Sequence, residues 1–119
     1  MAAVKNLRTS IAANTANTAG STTTGSSINL TAAYGGLATA KITNGPTGPT
    51  VAAQAKLMVS GDNTNWKTFK VFLASNANNA ISEFACELPP GTMYARWDVT
   101  GNTGQTVAGE GFIQELSSI

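Results

Sequence analysis

Apolar and polar residues alternate along short segments throughout the chain after residue 27. Because successive side chains of a β-strand point to opposite faces, this period of two predicts strands that are buried on one side. One such segment, MYARWDV, places on its inner face Met93, Ala95, Trp97 and Val99. The other predicted inner faces hold Ile28, Leu30 and Ala32; Ala38, Ala40 and Ile42; Val51, Ala53, Ala55, Leu57 and Val59; Phe69, Val71 and Leu73; and Phe84, Cys86 and Leu88. In the last segment Ile113 lies opposite Phe112 and Leu116.

Turn-forming residues separate these segments. The connections are GPTGP at 45–49, SGDNTNW at 60–66, PPGT at 89–92 and TGNTGQ at 100–105. Gly and Asn tolerate positive φ, Asp and Asn cap their own turns, and Pro cannot continue a strand ladder. About seven or eight short strands at this spacing predict an all-β fold, either an antiparallel sandwich or a barrel.

The first 27 residues have a different character. Residues 14–27, NTANTAGSTTTGSS, are polar and of low complexity, which is typical of a flexible linker. Before them, Val4, Leu7 and Ile11 are spaced three and four apart, as in one short helix or one strand. We predict an extended N-terminal arm and linker over residues 1–27, followed by a β-sandwich domain over residues 28–119. The arm is expected to dock on another surface; disorder, or pairing with its own sheet, is the alternative.

Charge and length exclude several classes of function. A chain of 119 residues fits one domain, and a net charge of +1 with 11% charged residues leaves no basic footprint for nucleic acid. No apolar run approaches the ~18 residues that a membrane span needs, and the first residues lack the apolar stretch of a signal peptide. We therefore expect neither a nucleic-acid nor a membrane partner.

Candidate chemistry is sparse. The chain has no histidine, and its one cysteine, Cys86, follows the inner phase of a predicted strand. Glu83 and Glu87 share a strand face at roughly 13 Å, beyond the separation of a glycosidase pair. Asp62 is the only carboxylate in its Asn-rich segment, so a turn is favoured over a calcium site. The sequence therefore predicts no enzyme, no catalytic or metal-binding residue and no cofactor.

Two aromatic residues are candidates for an exposed contact. Trp66 ends the Asn-rich turn, and Tyr94 shares the outward phase of its strand with Arg96 and Asp98, whereas Trp97 is predicted to lie in the core. Exposed rings beside polar groups are typical of carbohydrate-binding modules. Packing or a subunit contact is the favoured role for Trp66 and Tyr94, and a carbohydrate ligand is the alternative.

Two stretches of the chain resemble small structural proteins of tailed bacteriophage virions. They are AKITNGPTGPTVAAQAKLMVSGDNTNWKTF and ELPPGTMYARWDVTGNTGQTVAGEGFIQEL. The resemblance covers Leu30–Ile119, about three-quarters of the chain, and consists mainly of turn motifs. It implies a β-sandwich or jelly-roll module of the kind found in head decoration (cement) proteins, and it brings no catalytic residues.

This resemblance predicts a non-enzymatic virion protein that binds and stabilises the phage head and is assembled in the cytoplasm of the host bacterium. The implied partners are the major capsid protein and copies of the chain itself in a cyclic homo-oligomer. Val4, Leu7 and Ile11 are the expected arm contacts. A surface rich in Thr, Ser and Asn suits such contacts because few ions need desolvation. The alternative is a tail, neck or fibre component, including an adhesin that binds carbohydrate through Trp66.

Overall fold

The computed structural model describes residues 3–118, which form nine β-strands. The strands are β1 (Val4–Asn17), β2 (Thr23–Thr24), β3 (Ile28–Asn29), β4 (Gly36–Asn44), β5 (Gln54–Ser60), β6 (Trp66–Leu73), β7 (Ile81–Leu88), β8 (Tyr94–Thr100) and β9 (Val107–Ser118). The predicted all-β sandwich is confirmed. Because β2 and β3 are two short pieces that both pair with β8, the sandwich has eight strand positions.

The strands pair as nested antiparallel hairpins. β1 pairs with β9, β2 and β3 pair with β8, β4 pairs with β7, and β5 pairs with β6. Two further pairings, β4 with β9 and β5 with β8, join these hairpins into two sheets. One is the four-stranded sheet β1-β9-β4-β7, and the other is the five-stranded sheet β2-β8-β5-β6 with β3 also on β8. This order is a jelly roll, a long hairpin rolled into two facing layers.

The N-terminal segment differs from the predicted arm and linker over residues 1–27. Strand β1 pairs along β9 of the same chain, from Val4 opposite Ser118 to Asn17 opposite Val107. Residues 18–27 then cross to the five-stranded sheet. β1 supplies an edge of the four-stranded sheet, so the sandwich begins near residue 4 and not at residue 28. Met1, Ala2 and Ile119 lie outside the described residues.

A pair of buried amides holds this crossing segment. Asn17 Nδ2 donates to Asn102 Oδ1 at 2.5 Å and to the Ser21 carbonyl oxygen at 3.0 Å, while Thr23 Oγ1 donates to Asn17 Oδ1. Asn102 Nδ2 donates to the carbonyl oxygens of Asn17 and Gln105. Both amides are almost completely buried, and burial of amides is tolerated when their hydrogen bonds are made. The polar sequence that suggested a linker therefore supplies specific hydrogen bonds.

Trp97 of β8 occupies the centre of the core. Its side chain is fully buried, its Nε1 donates to the Phe112 carbonyl oxygen at 3.1 Å, and its ring centroid lies 6.0 Å from that of Phe72. Its backbone N–H donates to Ser10 Oγ of β1 at 2.9 Å, which ties the two layers together. The rest of the core includes Ile11, Ile28, Leu30, Ala38, Ala40, Ile42, Ala53, Ala55, Leu57, Leu88, Ala95, Val99, Val107 and Ile113. The predicted inner faces of β4, β5 and β8 are largely confirmed.

The predicted inner face of β6 is wrong. Phe69, Val71 and Leu73 are 37%, 50% and 66% exposed, and Phe72 faces the core instead, with its ring stacked 5.1 Å from Phe84. β6 is an edge strand with apolar residues on both faces, and its pairing with β5 shifts register between Leu57 and Met58. Such a β-bulge places an extra residue in one strand, so simple alternation does not fix which face is buried.

Three other residues expected on inner faces are also exposed. Val51 and Met93 are 54% and 44% exposed, and Ala32 is exposed as well. All three lie outside the named strands, where the chain turns and the alternation of faces no longer applies.

Close packing of Trp97 on Gly111 gives a stability test. A Cβ atom at position 111 would lie 2.6 Å from Cγ and Cδ1 of the indole. Gly111→Ala should therefore overpack the core and lower the free energy of unfolding by about 1–3 kcal/mol, measured by urea denaturation. The control is Gly91→Ala, because a Cβ there meets nothing within 4 Å. Equal urea midpoints for Gly111→Ala and the wild type would contradict this constraint.

Candidate interaction surfaces

An apolar cluster lies on the outer face of the four-stranded sheet. Gln114 of β9 pairs with Leu7 of β1 on one side and with Leu37 of β4 on the other, so the two leucines share this face. Tyr34 is adjacent, since its N–H donates to the Leu116 carbonyl oxygen at 2.7 Å. We call Leu7, Tyr34, Leu37 and Leu116 the outer patch; the first three are 65%, 48% and 42% exposed.

The outer patch borders a depression of about 550 Å³. Its apolar lining includes Tyr34, Leu37 and Leu116, and its polar rim includes Lys5 and Glu87. The outer face of a sandwich sheet usually carries polar residues. An apolar cluster rimmed by polar groups is typical of a protein contact surface.

The three predicted arm residues have different environments. Val4 is 48% exposed at the start of β1, and Leu7 belongs to the outer patch. Ile11 is only 3% exposed because it lies in the core of its own sandwich. The expectation that Ile11 contacts another protein is therefore corrected, since its side chain has almost no free surface in the folded chain.

The two predicted aromatic residues come together on the outer face of the five-stranded sheet. Ser60 of β5 pairs with Trp66 on one side and with Tyr94 on the other, which places both rings in one row. The Arg96 guanidinium lies 4.4 Å from the centroid of the Trp66 ring. Its Nε and a terminal nitrogen donate to the two carboxylate oxygens of Asp98 at 3.1 and 3.3 Å. We call Trp66, Tyr94 and Arg96 the aromatic platform.

The role of Arg96 was missed by the sequence analysis. The spacing Tyr94, Arg96, Asp98 correctly placed these residues on one face, but the contact with Trp66 depends on how β6 and β8 flank β5. The cation covers one face of the indole and is itself fixed by the carboxylate. Trp66 is therefore held rigidly, with less of its ring free for stacking on a ligand.

The turn before Trp66 is organised around the Asp62 carboxylate. Asp62 Oδ1 accepts from the backbone N–H groups of Asn65 at 2.8 Å and Thr64 at 3.0 Å, and Oδ2 accepts from Asn65 Nδ2 at 2.8 Å. These donors, the Asn65 backbone N–H first, and a hydrogen bond from Ser60 hold the pKa of Asp62 well below its ordinary value. The predicted turn role of Asp62 agrees with this geometry.

The remaining ionisable groups are dispersed. Arg8 pairs with Glu115 at 3.2 Å and Lys41 with Glu110 at 3.6 Å. Cys86 is half-buried against the core. Within residues 3–118 no three His, Cys, Asp or Glu side chains gather into a cluster that could hold a metal ion. Nor does that range contain a helix that could cross a membrane.

Comparison with known proteins relates the chain to others through fold. No family model matches the sequence, and no curated protein matches it. The structure is similar to that of the SPBc2 prophage-derived protein YomS, at 16% identity over 96% of both chains with a TM-score of 0.51. It is also similar to the K3 cleaved adhesin domain of Lys-gingipain from Porphyromonas gingivalis W83, at 14% identity over 91% of this chain and 71% of that domain with a TM-score of 0.52.

A viral protein shares the architecture as well. A chain in the structure of infectious bursal disease virus Gx strain is 10% identical, with 95% of this chain covering 32% of that one and a TM-score of 0.54. At such identities the likeness is one of fold alone. The β-sandwich is thus a kind that occurs in prophage-derived, viral and adhesin proteins.

The lowered pKa of Asp62 predicts a pH dependence of stability. An unfolded aspartate titrates near ~3.9, so the stabilisation by ionised Asp62 is fully present above that pH and is lost as pH falls toward the lower folded value. The melting temperature should therefore fall between about pH 5 and pH 3. Asp62→Asn keeps one acceptor but does not titrate, so its melting temperature should fall less over that range. Parallel curves for both proteins would contradict the role of Asp62.

Proposed function

We propose that this chain is a non-enzymatic structural protein of a phage virion, which decorates the head and binds the major capsid protein. The jelly roll supports this role because viral capsid domains use this fold. Lectins share the fold, so the argument for a capsid role has to come from the residues on the protein surface. The observation that carries the proposal is the outer patch. It places Leu7, Tyr34 and Leu37, all more than 40% exposed, on a sheet face where polar residues are the rule.

Docking through the outer patch is energetically reasonable. Burying one leucine side chain contributes about 1.5–3 kcal/mol, so a few such residues can support a specific contact. The rim charges on Lys5 and Glu87 can stay hydrated while the apolar centre is covered. The fraction of capsid sites that is occupied then depends on the free concentration of the protein relative to the Kd of one site.

A structural role also agrees with how the carboxylates are used. Four of the six acidic side chains make contacts that hold the fold, namely Asp62 in its turn and Asp98, Glu110 and Glu115 in ion pairs. The other two, Glu83 and Glu87, point to solvent from β7. The proposed function therefore depends on residues at the protein surface.

Substitution of the outer patch tests the proposal better than removal of the N-terminal segment. Deleting β1 would also remove Ser10 and Ile11 from the core and would confound docking with unfolding. Leu7→Asp and Leu37→Asp change exposed side chains only. Each should weaken binding to purified phage heads that lack the protein by at least about tenfold, because the burial energy of one leucine is lost.

The matched control is Val51→Asp, which changes an equally exposed apolar residue outside the outer patch. Binding would be measured by co-sedimentation with heads over a series of protein concentrations. Heads that bind Leu7→Asp and Leu37→Asp as well as the wild type would overturn the outer patch as the docking face. Heads that do not bind the wild type would overturn decoration itself and favour a tail, neck or fibre position.

A second candidate function rests on the aromatic platform. Trp66 and Tyr94 lie in one row on an outer sheet face, as a carbohydrate-binding adhesin would need. If glycans bind there, the wild-type protein should bind on a glycan array. Trp66→Ala should lose that binding while its circular dichroism spectrum stays the same as that of the wild type. A blank array for the wild type would eliminate this candidate. Arg96 on the indole makes it the weaker of the two.

A further inference from the structure

Asn44, the last residue of β4, is a buried amide at one end of the sandwich. The residue is 5% exposed, and its Nδ2 donates to the carbonyl oxygens of Ser75 and Ala77, each at 2.8 Å. Its backbone N–H donates to the Ala80 carbonyl oxygen at 2.9 Å. Both hydrogens of the amide nitrogen are therefore engaged by the loop between β6 and β7.

Two loops meet over this amide. We call residues 45–50, which follow β4, and residues 74–80, which join β6 to β7, the paired loops. The Gly48 N–H donates to Asn78 Oδ1 at 2.8 Å. The two backbones approach so closely that a Cβ atom at Gly48 would collide with the Asn76 carbonyl oxygen. Because the contact between the loops covers the amide, their separation would expose it.

Asn44 is also the only asparagine of the chain that a glycine follows. In an Asn–Gly pair the backbone nitrogen of the glycine can attack the side-chain amide carbon, because glycine has no Cβ atom to hinder the approach. The new C–N bond closes a succinimide ring, and the amide nitrogen leaves as ammonia with the proton that the glycine nitrogen loses. Water then opens the ring to aspartate or isoaspartate. Apart from this water, the chain itself supplies both reacting groups.

We propose that Asn44 is a site of spontaneous deamidation, which the paired loops protect while they are closed and expose when they separate. Ring closure requires the backbone at Asn44 to turn out of its extended strand conformation, because the amide carbon must reach the nitrogen of Gly45. In the folded chain the leaving nitrogen is also held by two carbonyl oxygens. Loops open locally at a lower free energy than the whole domain unfolds, so the reaction proceeds from the opened state.

The product does not fit between the closed loops. An aspartate at position 44 has no N–H to donate, so its carboxylate would face the carbonyl oxygens of Ser75 and Ala77. The other side of the group offers no compensation, since Asn44 Oδ1 is buried and has no hydrogen-bond partner within residues 3–118. A buried charge without a donor is strongly unfavourable. Deamidation therefore converts a transient opening of the paired loops into a lasting one.

Mass spectrometry of the full chain tests the site. Trypsin releases residues 42–56 by cleaving after Lys41 and Lys56, and fragmentation of this peptide locates the replacement of NH2 by OH at Asn44. At one mildly alkaline pH, the wild type should deamidate at least about tenfold faster in concentrated urea than in the folded state. Equal rates in the two states, or no conversion of Asn44 in urea, would overturn the proposal.

Two alanine variants separate the effect of the loops from the chemistry. Gly48→Ala pushes the paired loops apart, so the folded variant should deamidate at least about threefold faster than the folded wild type, while the rate in urea stays the same. Gly45→Ala adds a Cβ atom that meets nothing within 4 Å, and it should slow deamidation in both states by hindering the attack. Gly61→Ala is the matched control, because its Cβ atom also meets nothing within 4 Å and it lies in another turn.

Circular dichroism checks that each variant is folded. If Gly48→Ala does not fold, Asn78→Ala loosens the paired loops more gently by removing the acceptor of the Gly48 N–H. A folded, loosened variant that deamidates at the wild-type rate would overturn the protection by the loops. Gly45→Ala that deamidates as fast as the wild type in urea would overturn the assigned chemistry. Capsid binding is not part of this readout, so the docking proposal is tested separately.

Discussion

The packing of Trp97 between the two sheets is the constraint on which the rest of the structure depends. An indole in so small a sandwich needs space from the facing layer, and Gly111 provides it by having no side chain. The backbone of the same residue binds the N-terminal segment, since its N–H donates to Ser10 and its carbonyl oxygen accepts from Gly25 at 2.8 Å. One residue therefore sets both the distance between the layers and the path of the chain from one layer to the other.

This path determines which surface the protein presents. Because β1 is fixed to β9 by its ladder, and its end is fixed by the Asn17–Asn102 amides, Leu7 is held on the same sheet face as Leu37, on the other side of Gln114. An arm that was free to move would lose conformational entropy of about 1–2 kcal/mol per residue on docking. In this fold the N-terminal segment loses that entropy when the chain folds, so the outer patch is already arranged for contact.

Sequence periodicity identified the fold class because most strands have one strongly apolar face. The inner faces of β4, β5 and β8 were predicted correctly because their inner positions are apolar and most of their outer positions are polar. β6 did not, because Phe72 competes with Phe69, Val71 and Leu73 for the inner face and an edge strand is buried on neither side completely. The alternating pattern alone does not determine which set of residues in β6 faces the core.

The N-terminal strand and the two surfaces depend on information that periodicity lacks. Residues 14–27 are ordered by hydrogen bonds from the Asn17 side chain to Asn102, from Thr23 Oγ1 to Asn17 and from the Gly25 backbone N–H to the Trp97 carbonyl oxygen. Polar composition alone does not distinguish such a segment from a linker. Leu7 and Leu37 are thirty positions apart in the sequence, and they share one row of the sheet only because β9 lies between their strands and pairs with both. The contact of Arg96 with Trp66 likewise requires the strand order of the five-stranded sheet, which sequence reasoning did not supply.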